Sequence, residues 1–344
     1  MRCAIVGSGL AGLASYATLR HGGVPARDIV VFGTHADPTE VWRGRAAAIR
    51  QRRMRSESDG HLAPSSFPGL ALRERSLRAL AETATNRYRP SVELFLRHAA
   101  EVRRRSGWDE SFVERRVAAV RAVDGGFELD GDGPFAHVLL APGHPGLNTL
   151  PGTVHAYEPH EYEPRVAVIG AGMAAATEWL NALAAGSDVV SVRRREPLRR
   201  PLNVPRQLFS RRGLAEFHRL APPARAARLR ELAAPSYPDG REWDVEVPVA
   251  DEPPAGYQVI AATGFREGFA EDPLLAALVD EHGVETYDRW IALAPDSTVP
   301  ALTDDRRTLS IAGVAGQWAF PAADTIAGAK YAARAFLRRV CRTR

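Results

Sequence analysis

Short apolar runs alternate with stretches of helical period along most of this chain, and one such unit occurs twice. Cys3-Ala4-Ile5-Val6 is an unbroken apolar run, the pattern of a strand buried on both faces. Leu10, Leu13, Ala14 and Ala17 then fall at i, i+3, i+4 and i+7, one face of a helix. Asp28-Ile29-Val30-Val31-Phe32 follows as a second strand. The unit returns at Arg165-Val166-Ala167-Val168-Ile169, with Ala176, Trp179, Leu180 and Leu183 on the next helical face and Asp188-Val189-Val190-Ser191-Val192 as the strand after it. Two strand–helix–strand units predict an α/β fold with two Rossmann-like nucleotide-binding domains.

Between and after the units the pattern is less regular. Residues 41 to 70 begin with an arginine-rich helix, and Val92, Leu94, Phe95, Ala99 and Val102 predict a helix over 91 to 105. Val113 to Leu140 reads as a β-meander, with turns at Asp124-Gly125-Gly126 and Asp130-Gly131-Asp132-Gly133-Pro134, closing on His137-Val138-Leu139-Leu140. Glu158 to Pro164 is a polar linker. Residues 197 to 245 are rich in Arg and Pro, with helical patches from Leu214 to Leu232, as expected of a lid or substrate-facing insertion. Tyr257 to Phe265 is a strand entering a turn, and Leu309-Ser310-Ile311-Ala312-Gly313 is a last strand. A loop carrying Trp318 and Phe320 leads to a closing helix, about 323 to 338, with Asp324 or Thr325 as its cap. The two aromatic residues suit either a ring cover or core packing.

The turns inside the repeated units carry the chemistry. Gly7-Ser8-Gly9-Leu10-Ala11-Gly12 fits G-x-G-x-x-G between strand and helix. Gly7 permits a sharp turn, Gly9 lets backbone approach a pyrophosphate, and Gly12 lets helix and strand pack closely. The helix start adds unpaired N–H groups and partial positive charge. Gly170-Ala171-Gly172-Met173-Ala174-Ala175 repeats the device as G-x-G-x-x-A. After the first unit's second strand, the place of a ribose-binding acid is held by Gly33, with His35 or a backbone carbonyl as substitutes. After the second unit's second strand stand Arg193, Arg194 and Arg195, suited to a 2′-phosphate and so to NADPH. Ser56, Ser58 and His61 form a polar cluster that suits a cofactor ring or a surface loop.

Composition narrows the class. The chain has 344 residues, 45% hydrophobic and 25% charged, enough for two cored domains of a globular protein. No signal-like segment precedes the first strand and no apolar run would span a bilayer, so the expectation is cytoplasmic, with no membrane partner. Lys330 is the only lysine among 45 basic residues, which reads as a coding bias toward arginine. Runs such as Arg103-Arg104-Arg105 are then solvated helix faces, and no nucleic-acid partner is expected. The two cysteines, Cys3 and Cys341, make no C-x-x-C, which argues against a metal site or a dithiol redox centre.

Together these pieces resemble the flavoprotein monooxygenases with two dinucleotide-binding domains: flavin-containing monooxygenases, microbial N-hydroxylases and Baeyer–Villiger enzymes. The resemblance covers nearly the whole chain. It implies FAD on Gly7, Gly9, Leu10, Ala11 and Gly12, and NADPH on Gly170, Gly172, Met173 and Ala175 with Arg193 and Arg194. The family's acid, spacer and Gly-Gly-x-Trp is echoed in spacing from Gly33 to Trp42, without the acid or either glycine. Its Ala-Thr-Gly hinge markers match Ala141-Pro142-Gly143-His144 in altered form and Ala262-Thr263-Gly264-Phe265 intact. Many relatives end the last strand in Gly-Asp; here it is Gly313-Val314. The resemblance further implies an FAD domain at 1–157 and 252–344 with the NADPH domain, 164–251, inserted. Ser56, Ser58 and His61 lie about where relatives place polar groups near the flavin, and Asp324 lies where the closing helix would meet the cofactor.

The activity implied is hydride transfer from NADPH to FAD, then transfer of one oxygen atom from a flavin peroxide to a small-molecule amine, sulfur or ketone, with molecular oxygen as co-substrate. Two alternatives share the scaffold. One is an NADPH-dependent reductase passing electrons to a partner or quinone. The other is a non-enzymatic nucleotide-binding protein that has lost FAD, consistent with the acids absent at Gly33 and Val314.

Overall fold

The computed structural model describes residues 2–54, 62, 69–84, 88–200, 204–237 and 245–342. The opening strand, Cys3–Val6, is the middle of a five-stranded parallel sheet. Ile29–Gly33 and Phe112–Glu114 lie on one side of it, and His137–Leu140 and Thr308–Ile311 on the other. Every residue of Cys3–Val6 is buried, which is why its run is continuously apolar rather than alternating. Ile5 faces a layer of helices, Leu10–His21, Val92–Ser106 and Ile326–Arg342, through Leu13, Tyr16, Phe95 and Phe336. Ala4 and Val6 face a second layer that contains Phe127, Leu129 and Phe135. Chain order reverses between Cys3–Val6 and its two neighbours, so a crevice opens at the carboxyl ends of these strands.

A second five-stranded parallel sheet is centred on Arg165–Ile169. Asp188–Val192 and Val249–Ala250 flank it on one side, Gln258–Ala261 and Val154–His155 on the other. The helix Met173–Ala184 covers one face with Ala174, Ala175, Trp179 and Ala182. This sheet therefore takes strands from both sides of the expected 164–251 segment. Gln258–Ala261 must enter it, because Arg165–Ile169 would otherwise be an open edge.

Two other segments differ from the sequence pattern. Only 120 to 135 forms the antiparallel meander; the runs flanking it, Phe112–Glu114 and His137–Leu140, join the first sheet in parallel. Strands buried on both faces and short solvated strands look alike as isolated apolar runs. In the insertion, the helices Arg211–His218 and Pro222–Leu232 put Phe217, Leu229 and Leu232 into the core of the first unit, beside Trp318 and Phe320. Trp318 stacks on Tyr287 at 5.2 Å and lies under the Arg225 guanidinium at 5.0 Å. Both aromatic residues of the 314–321 loop are core residues, with Trp318 2% and Phe320 5% exposed. No helix among the described residues is long and apolar enough to cross a membrane.

The polar segment between Val154–His155 and Arg165–Ile169 is pinned rather than loose. Glu178, fully buried on the helix Met173–Ala184, accepts from Tyr162 Oη at 2.7 Å and from His160 Nε2 at 3.0 Å. His160 Nδ1 donates to the Glu158 carbonyl at 2.8 Å. With acceptors at both ring nitrogens, the imidazole is held in its charged form. Burial pulls the His160 pKa down, but the bonds to Glu178 and to the Glu158 carbonyl, with Glu178's charge, outweigh it and raise it. Asn181 Nδ2 donates to the Ile49 carbonyl at 2.9 Å, and Arg50 covers the Tyr162 ring at 4.5 Å. The cluster thus ties the end of the helix Glu40–Ala48 to the second unit.

Candidate functional site

A cavity of about 830 Å³ lies at the carboxyl ends of the first sheet. Its floor is the first glycine turn, Gly7 to Ala11, with Gly33, Thr34 and His35 beside it. Gly143 and His144 come from the strand after the meander, Gly313 and Val314 from the last strand, and Asp324 and Thr325 from the start of the closing helix. Trp42 and Arg45 enter from the helix Glu40–Ala48. The glycines divide the labour as their spacing requires. Gly7 has φ +116°, and a Cβ there would lie 2.0 Å from the Ala141 carbonyl oxygen. At Gly12 a Cβ would lie 2.1 Å from the Gly7 carbonyl oxygen. A Cβ at Gly9 would meet nothing within 4 Å. Two glycines thus set the fold of the turn, and the third keeps space open above the helix N-terminus.

The absent acid at position 33 has a steric cause. A Cβ on Gly33 would lie 2.2 Å from Ser8 Oγ and 2.3 Å from Ser8 Cβ. Ser8 Oγ accepts the backbone N–H of His35 at 3.3 Å, and His35 Nδ1 lies 3.1 Å from Glu40 Oε1. The polar groups at this corner are therefore Ser8, His35 and Glu40. Gly33→Glu alone is expected to lower the thermal midpoint, as overpacking by roughly 1–3 kcal/mol does, and to weaken dinucleotide binding. Adding Ser8→Gly should recover part of the stability, because it removes the Ser8 side chain but leaves the Ser8 backbone N at 2.9 Å from that Cβ. Calorimetry and ligand titration of the two variants check this; a single variant as stable as the parent would refute the steric account.

Between the sheets, aromatic residues form one wall. His144 stacks on Phe265 at 3.9 Å, Tyr157 stacks on Phe265 at 5.1 Å, and the Arg45 guanidinium covers Phe265 at 4.7 Å. Burial, with the nearby Arg45 charge, lowers the His144 pKa to about 4, so its ring is neutral near pH 7. Thr263 and Gly264 do not line the cavity: Thr263 Oγ1 donates to the Asn148 carbonyl, and the Gly264 carbonyl accepts from Asn148 N at 3.0 Å and pairs with His155 Nε2 at 3.0 Å. They hold the hinge, and the next residue, Phe265, reaches the cavity.

The second glycine turn copies the first. Gly170 has φ +138°, and a Cβ there would meet the Ala262 carbonyl oxygen at 2.6 Å. The nearest atom to a Cβ on Gly172 is Pro235 Cβ, at 3.8 Å. Ala175 is fully buried in the place corresponding to Gly12. Arg193 is engaged by Glu196 at 3.1 Å and covers Trp179 at 5.4 Å, while Arg194 is exposed. Gly170, Gly172, Met173, Arg193 and Arg194 stand on this second surface and not in the cavity.

The structure thus brings Gly7, Gly9, Leu10, Ala11, Gly33, Trp42, Gly143, Gly313 and Asp324 to one cavity, with Gly12 packed behind it. Ser56, Ser58 and His61 lie outside the described residues. The cap of the closing helix is Thr325, whose Oγ1 accepts from Gly328 N at 3.1 Å. Sequence reasoning missed Arg45, Tyr157, His144 and Phe265; the last two directly follow the hinge glycines and were legible there. Among the described residues no group of three or more His, Cys, Asp or Glu could hold a metal ion.

No protein-family model matches the chain, and no curated protein matches it in sequence. Solved structures do match in shape. An ornithine N-hydroxylase from Kutzneria sp. 744, described with reduced FAD, NADP+ and L-ornithine, superposes with a TM-score of 0.70 at 16% identity, over 98% of this chain and 99% of that one. An ornithine hydroxylase from Pseudomonas aeruginosa gives 0.69 at 16% identity, over 98% and 99%. The bacillithiol disulfide reductase of Bacillus cereus gives 0.55 at 16% identity, again over 98% and 99%. At such identity the likeness is one of architecture, and the chain has the two-sheet, double-dinucleotide-fold architecture of the flavoprotein N-hydroxylases over nearly its whole length.

Proposed function

We propose that the chain is an FAD- and NADPH-dependent monooxygenase acting on a small-molecule amine, sulfur or ketone. The observation that carries this reading is the pairing of two copied glycine turns, one flooring a cavity of about 830 Å³ and the other on the adjoining sheet. FAD suits the cavity. Gly9 leaves room for phosphate, the start of Leu10–His21 supplies N–H donors, and Ser8 and His35 offer polar contacts at the ribose corner. NADPH suits the second turn, with exposed Arg194 open to a 2′-phosphate and Arg193 committed to Glu196.

Bound FAD would supply the redox chemistry, taking hydride from NADPH and activating oxygen. The chain's own residues position and enclose. Trp42, Tyr157, Phe265 and neutral His144 make an aromatic wall between the two units. Such a wall excludes water, which protects reactive species from hydrolysis. The shared shape of the N-hydroxylases supports the oxygenase reading. Cys3 is buried and Cys341 exposed, and the two form no disulfide.

The test is turnover with FAD, NADPH and oxygen across a panel of amines, thioethers and ketones. The reading expects an oxygenated product from at least one class. NADPH consumption that yields only hydrogen peroxide or a reduced acceptor across all three would favour the reductase.

A further inference from the structure

Three arginines line the cavity. Arg115 is engaged, pairing with Asp132 at 2.6 Å and covering the Phe32 ring at 4.4 Å. Arg116 is exposed. Arg45 is in neither position. It is half-buried on the helix Glu40–Ala48, and its guanidinium lies over the Phe265 ring at 4.7 Å. Among the described residues no carboxylate pairs with it. The rings packed on Phe265 are those of Tyr157 and neutral His144. Burial, helped by the Arg45 charge, lowers the pKa of both His144 and His155. Each dinucleotide turn has its own device for phosphate, the helix start behind Gly9 and the one behind Gly172, and Arg45 belongs to neither.

Resting on the monooxygenase reading above, we propose that the substrate is an aromatic carboxylate, its charged end held by the Arg45 guanidinium and its flat body lying on the wall of Trp42, Tyr157 and Phe265. A cation taken partly out of water without a counter-ion is costly, and an incoming anion offsets that cost. The carboxylate gains as well, because attraction is stronger in a cavity than in open solvent. A guanidinium that spends its face on a ring keeps its N–H edges, which match the two oxygens of a carboxylate. The three cavity-lining rings favour an aromatic body, which stacks or meets them edge to face. The soft nucleophile, an amine or sulfur, then stands at the other end of the ligand, free of both contacts.

The experiment is calorimetric titration of the full-length protein, reconstituted with FAD, against para-methylthiobenzoate, its neutral methyl ester and methylthiopropanoate. The parent, Arg45→Met and Arg45→Lys are compared, with far-UV circular dichroism and thermal unfolding to confirm that each is folded. The parent should bind the benzoate about tenfold or more tightly than the ester, and several-fold more tightly than the propanoate, which carries the charge without the ring. Arg45→Met, which keeps the apolar stem, should bring benzoate and ester within about threefold of each other. Arg45→Lys should keep part of the preference. A parent indifferent to the charge, or a preference that survives in Arg45→Met, would overturn the anion site. Equal binding of benzoate and propanoate would overturn the aromatic body. Titrations of the same variants with FAD and NADP+ separate the sources of the anion: a tenfold loss of either cofactor in Arg45→Met would mean that the guanidinium serves a cofactor phosphate instead. A parent that takes up no FAD would sink the monooxygenase reading, while the benzoate-to-ester ratio, read on the same protein, still decides the anion site.

Discussion

The Gly9→Val protein will fold and purify without FAD, whereas Gly172→Val will carry FAD and fail to reduce it with NADPH. Each position is the residue before its helix, with extended backbone: Gly9 at φ −80° and ψ −167°, Gly172 at φ −97° and ψ −169°. Valine adopts such angles without strain. Neither Cβ would press on the fold, since Gly9 meets nothing within 4 Å and Gly172 meets Pro235 only at 3.8 Å. The loss of capping freedom costs about 1 kcal/mol at most. What the isopropyl group does fill is the space into which a pyrophosphate must come to reach the helix N–H groups. Losing those charge-assisted bonds should weaken the affected cofactor by about 100-fold, near 2.7 kcal/mol. Titrations with FAD and with NADP+ on both variants read the effect. If either substitution removed both cofactors, the two turns would not be separate sites.

Glu178→Ala will destabilise the protein by about 3–5 kcal/mol, the cost of leaving a buried charge without its partner. His160 and Tyr162 would both lose the oxygen they donate to, in a site where the His160 side chain is 3% exposed. The pair also makes stability depend on pH with a definite sign. His160 binds its proton more tightly in the folded protein than its ordinary value of 6.5 allows. The folded state is therefore the one that holds the proton. The stabilisation is fully present below pH 6.5 and is lost as pH rises through the raised value. Denaturant unfolding of the parent across this range should show stability falling with pH, and Glu178→Gln should flatten the slope. A parent whose stability rises through the same window would contradict the charged imidazole. Because Asn181 and Arg50 sit in the same cluster, the variant should also loosen the join between the two units.

Much of this fold was legible because its chemistry is local. A strand buried on both faces must be apolar throughout, so Cys3–Val6 and Arg165–Ile169 announced themselves, and the glycine turns marked where each strand yields to a helix. Sheet membership was less legible. Whether Phe112–Glu114 pairs with its neighbours in the chain or crosses to Ile29–Gly33 is decided by long-range ladder partners, which leave no mark on three residues. The second sheet reaches back to Val154–His155 and forward to Gln258–Ala261 for the same reason. At the site, Gly33 looked like a defect when read alone. Beside Ser8 it is a packing requirement, a relation between residues 25 apart in sequence that only folding reveals. Trp318 and Phe320 suited a ring cover or a core equally, and the insertion helices that bury them settle the matter.

The measurement that bears most directly on the central claim is the visible absorption spectrum of FAD-reconstituted protein before and after NADPH, without oxygen. The account predicts a bound-flavin spectrum that bleaches on adding NADPH, because the two glycine turns hold the two cofactors of one electron transfer. A protein that takes up no flavin, or whose bound flavin stays oxidised under excess NADPH, would contradict it.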